Sequence, residues 1–465
     1  MHNHLSGAVY AESFIGWSAR DGGCVDPAKL ALARPPCGDA LPPATAAATD
    51  STLYRALVDS LSMQHFAPPR NPFSPAPGHD HFFATFDKFA AAEEGREGDM
   101  IAEAVERAAA DHVLYVELMW SPGMSEARKL GAALGWDADL GRMRDRLLTA
   151  DLEKIVAEVR RATDESERRE RALLRCNEPQ ARRPGCDVVT RYLAQIIRTV
   201  PPEAVFAQAV LAFRLVESDP RFVGLNIVAP EDNPISLQDY ALDMRMLGYL
   251  HGLDPAVAMS LHAGELVPAL PNVKPEDLRF HVRAAVEIAG ARRIGHGVDV
   301  LGEDGATSLL AEMAAKRVMV EINLTSNDQI LGVGGDRHPF IDFRRAGVPT
   351  ALSTDDEGVE RIDLTHEYVR AAREYPLSYA DLKNLSRNSL EYAFLPGASL
   401  WRDARSFVPV AACAGTSPAA NPPAAGCQAF LAGSDKAHLQ WTLEAEFARF
   451  EAEQRKRFPP DGDRR

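Results

Sequence analysis

The sequence predicts an α/β chain whose parallel strands close into a barrel wrapped by helices. Three observations carry this. From Asp111 onward, short apolar runs alternate with amphipathic stretches, the pattern of repeated strand-helix units around a parallel sheet. The apolar runs number about eight, as a closed barrel needs. Residues able to do chemistry fall at the ends of those runs, where (β/α)₈, or TIM, barrels carry their active sites.

The first expected strand is Met1 to Leu5. His112 to Met119, Tyr192 to Val200, Phe222 to Val228, Val257 to Leu261, Arg293 to Gly295, Val318 to Leu324 and Thr350 to Ser353 complete the set. Helical periodicity fits between them at Glu203 to Val216, Leu237 to His251, Leu278 to Ile288 and Thr307 to Lys316. Two segments lie outside the repeat. Residues from about 22 to 77 are rich in Pro and Ala, as a lid or insertion over the barrel mouth would be, and residues from about 401 to 465 form a C-terminal extension ending in a helix. The expectation is a single catalytic domain spanning 1–465.

With 46% hydrophobic and 25% charged residues, the chain can bury a large core, and no apolar run approaches the ~18 residues of a membrane span. Lys and Arg total 51 against 66 Asp and Glu, a net charge of −15 and the wrong sign for neutralising many phosphates. Nucleic acid and membrane are therefore not expected as partners, which leaves a small molecule. No pattern specifies an oligomeric state.

The 6 cysteines fall into local pairs: Cys24 with Cys37, Cys176 with Cys186, and Cys413 with Cys427. Each pair brackets a Pro-rich, loop-like stretch, so the clustering favours small loops each closed by its own disulfide over unrelated cytosolic thiols. No pair has the short spacing of a zinc ribbon. Disulfides need an oxidising compartment, so a periplasmic or secreted location is expected rather than a cytoplasmic one. The chain opens at Met1-His2-Asn3-His4 without a basic-then-apolar leader, and the expectation is that a leader has been trimmed.

His2-x-His4 puts two imidazoles on one side of a strand, because positions i and i+2 share a face. A second such pair, His79-Asp80-His81, follows Pro75, Pro77 and Gly78 and is expected in a loop, outside the metal set but near enough for one ring to line the pocket. Met259 to Glu265 (MSLHAGE) ends a strand with a histidine, two small residues and a carboxylate, and Ile294 to Gly297 repeats a histidine at a strand end. Thr350 to Glu357 delivers two adjacent aspartates to the rim. Three histidines and an aspartate suit a single-metal site, since zinc takes imidazole nitrogen and carboxylate oxygen readily.

The ordered set HNHLSG, ELMWSP, SLHAGE, RIGHG, VEINLTSN and LSTDDEG resembles the adenosine deaminase family, especially its secreted, growth-factor-related branch and bacterial relatives, from Met1 to about Phe394. The resemblance implies one Zn²⁺ per chain, held by His2, His4, His262 and Asp355, and a purine nucleoside substrate. It implies that His296 orients the attacking water and takes its proton, that Glu265 protonates or hydrogen-bonds purine N1, and that Asp356 meets N7. Adenosine would yield inosine and ammonia. Two positions depart from the family. Ser6 stands where members acting on adenosine commonly have an aspartate facing the ribose 5′-hydroxyl, and Ala229 stands at an expected glycine near purine N3. Both imply a sugar side that admits 5′-modified or 2′-deoxy nucleosides.

Alternatives keep the reaction and change the substrate to adenine, 5′-methylthioadenosine, S-adenosylhomocysteine or AMP. The last lacks an obvious basic cluster to receive its phosphate. A secreted adenosine-binding protein without turnover would be favoured by loss of a metal ligand or of Glu265, and none is missing. A two-metal barrel hydrolase would show a bridging lysine at a strand end, and no lysine stands at one.

Overall fold

The computed structural model describes residues 1–66, 77–418 and 423–458, which fall into two compact units, Met1–Ser378 and Tyr379–Arg465. The first unit is built on eight parallel strands. These are β1 (Asn3–His4), β2 (Tyr115–Trp120), β3 (Val189–Ile197), β4 (Phe222–Val228), β5 (Ser260–Ala263), β6 (Arg293–His296), β7 (Met319–Ile322) and β8 (Thr350–Leu352). Each hydrogen-bonds to the next within β1–β4 and within β5–β8. The parallel bridges Leu225↔Met259 and Asn3↔Asp355 join the two sheets at both edges, so the strands close into a ring in chain order. All six residues of β2 are buried, as expected for strands covered on both faces.

Single polar residues interrupt these apolar strands and point inward. Arg293, wholly buried, pairs with Glu117 at 2.6 Å and Glu321 at 2.6 Å across the barrel interior. Isolated buried charges would cost several kcal/mol each, so they occur here as a mutually compensating set.

Most expected elements lie where the sequence puts them, with ends shifted. Phe222–Val228 coincides with its expectation. The seventh strand stops at Ile322 rather than Leu324, because the Glu367 carboxylate accepts the Leu324 N–H at 2.9 Å and starts the helix Leu324–Leu331. The helix expected over Leu278 to Ile288 breaks into a 3₁₀ turn (Asp277–Arg279), one α turn (His281–Ala284) and a π turn (Ala285–Ala289). Tertiary contacts override local periodicity there: His281 is held by Glu231 at 2.6 Å and stacks on Tyr240 at 3.7 Å.

Helix α1 (Ala11–Arg20) follows β1. After it, the hairpin Cys24–Asp26/Ala31–Ala33 and helix α2 (Ser51–Ser60), N-capped by Asp50, occupy the Pro/Ala-rich segment. Residues 67–76 of that segment lie outside the described residues. His79 and His81 sit on helix α3 (Pro77–Glu93), not in a loop as the prolines suggest; Pro77 opens that helix, where a missing N–H costs nothing. The second unit gathers Leu400, Trp401, Leu431 and Trp441 around the Cys413–Cys427 disulfide, with Arg387 forked onto Glu444 at 2.6 and 2.8 Å. Cys24–Cys37 and Cys176–Cys186 are also bonded, so all three local pairs form as read. Among the described residues, no helix is long and apolar enough to cross a membrane.

Candidate metal centre and active-site cavity

Closure of the ring brings His2, His4, His262 and Asp355 together at the C-terminal ends of β1, β5 and β8. One ligand atom from each lies within 4.8 Å of all the others. His4 Nε2 is 3.3 Å from His262 Nε2, and Asp355 Oδ1 is 3.2 Å from His2 Nε2 and 3.3 Å from His4 Nε2. Each imidazole is turned by an acceptor at its far nitrogen. His2 Nδ1 donates to Glu321 at 2.7 Å, His4 Nδ1 to Gln195 at 2.9 Å, and His262 Nδ1 to Asn226 Oδ1 at 2.8 Å. The Asn226 oxygen also accepts the His262 backbone N–H at 3.1 Å, which settles the orientation of that amide.

With Nδ1 donating, the Nε2 lone pairs converge on one point. His2 Nε2 and Asp355 Oδ1 are buried there without a hydrogen-bond partner. Three imidazole lone pairs and a carboxylate at one orphaned point fit a divalent cation of the zinc type. Burial alone would lower His2 and His4, but the carboxylates facing them, Asp355 and Glu321 for His2 and Asp356 and Asp355 for His4, outweigh it and raise both, His4 to about 9, so a cation binding there would displace protons. Burial drives Asp355 up, but the charge and hydrogen bonds of His2 and His4 outweigh it and hold the carboxyl well below its usual range. Burial, followed by the neighbouring His2 and His296 rings, pushes His262 well below the ordinary imidazole value, toward the neutral form that ligates metals.

Beside this cluster lies a cavity of about 440 Å³ lined by Ser6, Ala229, Glu265 and Asp356 together with His4 and His262. Glu265 is pushed well above the ordinary carboxyl range, by burial first and then by the charges of Asp355 and Glu231, which favours its protonated form. Burial raises Asp356 to about 7. His296 is fully buried, lies 3.7 Å from Glu265 and 3.6 Å from Asp355, and is pushed down to about 3 by burial. Asp355 and His296 hold left-handed φ angles of 60° and 69°, the kind of strain that a packed site over-determines. Ala229 does so too, at 81°, the conformation that the expected glycine would adopt freely.

Several residues that build this site escaped the sequence reading. Glu231 accepts the N–H groups of Gly264 at 3.0 Å and Glu265 at 2.9 Å, fixing the loop after β5. Arg198 donates to the carbonyls of Ala229 at 2.8 Å and His262 at 3.2 Å, tying three strand ends together. Burial raises Glu231, but Arg198 and His281 outweigh it and bring the carboxyl down to about 2. The available signal was a polar residue inside an apolar run, as at Gln195, Asn226 and Glu321. Phe82, Phe83 and Phe86 on α3 form an aromatic wall of the cavity. Neither histidine of the second H-x-H pair joins the metal cluster: His79 bonds Asp232 at 2.9 Å and His81 bonds the Ser62 carbonyl at 2.9 Å.

Comparisons with known proteins follow the same line. The family model described as adenosine deaminase matches residues 71–400. The chain is 36% identical to an adenosine deaminase of Shewanella loihica and 37% identical to one of Pseudoalteromonas translucida, each over 143 residues. Those alignments cover 30% of this chain and 39% of each relative, so the match spans well under two thirds of their length. In fold it is similar to the Arabidopsis N6-mAMP deaminase (TM-score 0.53, 20% identity, 85% of this chain and 92% of that one). It is also similar to the adenine deaminase of Arthrobacter aurescens (TM-score 0.52, 18% identity, 85% and 93%). His2, His4 and Ser6 precede the matched span and join it through β1 of the closed barrel. A family match over most of the length, on an eight-stranded parallel barrel, establishes that the chain belongs to the adenosine deaminase family.

Proposed function

We propose that this chain hydrolyses the 6-amino group of an adenine nucleoside, adenosine first among them, releasing ammonia and leaving inosine. The observation that carries the reading is the convergence of His2, His4, His262 and Asp355 at the same strand mouth as Glu265 and Asp356. Those four residues would hold one Zn²⁺, which when bound makes a water acidic enough to ionise near neutral pH. Glu265, whose burial favours the protonated carboxyl, would donate to purine N1 and draw electron density from C6. Asp356, with a carboxyl raised to about 7, would donate to N7 and fix the ring. His296 would face the attacking oxygen. The aromatic wall of α3 would cover the base and exclude bulk water.

A nucleoside is favoured over a nucleotide because no Lys or Arg stands among the described residues lining the cavity. Ser6 and Ala229 at the sugar side support tolerance of 5′-modified or 2′-deoxy nucleosides, 5′-methylthioadenosine among them. Three disulfides support an oxidising location, periplasmic or secreted.

The test is ammonia release from a panel of adenosine, 2′-deoxyadenosine, 5′-methylthioadenosine, S-adenosylhomocysteine, adenine and AMP, with and without chelation, beside a Glu265→Gln variant. Chelation should abolish release, and Glu265→Gln should lower kcat about 10²- to 10⁴-fold, the usual contribution of a general acid. Release that survives both treatments, or none from any nucleoside, overturns the proposal.

A further inference from the structure

Helix α3 carries the aromatic wall of the cavity, and one charged contact ties it to the barrel rim. His79, Phe82, Phe83 and Phe86 stand at i, i+3, i+4 and i+7, so they share one face of the helix. The first turn of α3 packs close against the helix Leu324–Leu331: a Cβ at Gly78 would stand 1.6 Å from the Gln329 carbonyl oxygen. From that turn His79 reaches the loop after β4, where its Nε2 lies 2.9 Å from Asp232 Oδ1. Its Nδ1 lies 2.9 Å from Asp80 Oδ1 on its own helix. A carboxylate only accepts, so carboxylates at both ring nitrogens are satisfied together only by the doubly protonated imidazolium. Burial lowers the ring, but Asp232 first and then Asp80 outweigh it and raise His79 above the ordinary imidazole value. These are the two titratable groups that face it, while the helix Leu324–Leu331 meets the turn with the uncharged Gln329 carbonyl. Asp80 is exposed and Asp232 is buried, and among the described residues His79 is the one side chain bonded to the Asp232 carboxylate. The other polar ties of α3 run to the end of α2 instead: His81 to the Ser62 carbonyl at 2.9 Å and Lys88 to the Ser60 carbonyl at 3.2 Å. Asp232 directly follows Glu231, which holds the Glu265 main chain, so the contact joins the aromatic wall to the rim beside the proposed acid.

We propose that His79 is a positioning residue: as an imidazolium bonded to Asp232, it straps the aromatic wall of α3 to the barrel rim and so sets how tightly the cavity holds a nucleoside. The last step rests on reading the cavity as the nucleoside site. While the ring is charged, the strap is a bond between two ions, roughly twice as strong as a neutral one. As pH rises through the raised value of His79 the ring loses its charge, and the buried Asp232 carboxylate is left without a counter-charge. The strap therefore holds on the acid side and slackens on the alkaline side. His79 lies outside the cavity lining and outside the cation cluster, so it acts only through Phe82, Phe83 and Phe86. Its effect belongs in KM rather than in kcat.

His79→Gln tests the strap, because its amide still donates to Asp232 but carries no charge at any pH. Steady-state kinetics with adenosine on the metal-loaded parent and variant should be compared from about pH 6 to about pH 9, across the raised value of the ring. On the acid side KM of the variant should exceed that of the parent about 10-fold, the order of a charge-assisted bond reduced to a neutral one. The ratio should fall toward one on the alkaline side, where the parent has lost the same charge. A histidine with a merely structural role gives a ratio that does not move with pH. Such a constant ratio, or a loss confined to kcat, overturns the proposal. A second readout needs no turnover. At one pH on the acid side, backbone amides of residues 82–90 should exchange with deuterium about 10-fold faster in His79→Gln, and likewise in Asp232→Asn, while amides of β2 to β4 keep their protection and show that both variants are folded. Equal protection of 82–90 in parent and variants overturns the strap. If no nucleoside is turned over, the reaction proposed above fails, and the exchange comparison alone decides for or against His79.

Discussion

Glu231 Oε2 accepts the backbone N–H of Glu265 at 2.9 Å, so one buried carboxylate holds the proposed acid by its main chain rather than by its side chain. Its other oxygen takes the Gly264 N–H at 3.0 Å and His281 at 2.6 Å, with Arg198 3.8 Å away. Glu231→Gln replaces one acceptor by an amino group facing an N–H. It should cost about 3–5 kcal/mol of stability, the range for breaking a buried charge pair. Among molecules that stay folded, kcat should fall about 10²-fold, since a displacement of about 1 Å at the reacting groups has that effect. Denaturant unfolding and steady-state kinetics check the two parts separately.

Gly7 leaves no room for a side chain. A Cβ there would stand 1.5 Å from Asp356 Oδ1, and the Gly7 carbonyl also accepts N–H groups from Gly358 at 2.8 Å and Val359 at 3.1 Å. In Gly7→Ala the backbone cannot yield without breaking both bonds, so Asp356 must move. The expected result is a loss of kcat/KM of about 10²-fold or more, seen in steady-state kinetics with the preferred nucleoside.

Ala229 pays for a left-handed backbone that glycine would adopt without strain. In Ala229→Gly, relief of that strain is offset by the greater freedom of the unfolded chain, so stability should change by less than about 1 kcal/mol. The removed methyl belongs to the cavity wall on the proposed sugar side. KM should shift several-fold between adenosine and 5′-methylthioadenosine while kcat stays nearly constant, which paired kinetic measurements resolve.

Asp243 is buried, makes no hydrogen bond through either carboxyl oxygen, and is raised to about 8, by burial first and then by the charge of Asp239. Between the ordinary carboxyl value of ~3.9 and about 8, the folded chain therefore holds a proton that the unfolded chain has lost. Stability contributed by that proton is whole at low pH and drains away as pH rises through this window. Asp243→Asn removes the dependence. Its stability relative to the parent should grow by up to about tenfold in the unfolding constant per pH unit and level off beyond the upper end, as melts at several pH values will show.

The barrel was legible because its signal is local. An apolar run such as Phe222–Val228 announces a doubly covered strand from its own composition, and that strand lies where expected. His2, His4, His262 and Asp355 were legible as strand-end residues in a familiar order, and the fold brings all four together. The broken helix around His281 was not legible, because its cause is a contact with Glu231, 50 positions away in the chain. The loop expected at His79 was misread for a simpler reason: prolines that punctuate loops also open helices.

Taken alone, the order of residues determined the class of fold, the local pairing of the cysteines and the residue types available for metal and proton chemistry. Each of these depends on periodicity, on loop length or on motifs a few residues long. Which groups orient those residues was decided only by the tertiary structure. Gln195 meets His4 across 191 positions, Glu321 meets His2 across 319, and Asn226 meets His262 across 36. Hydrogen bonds act over about 3 Å, and only closure of the barrel puts such distant strand ends within that reach.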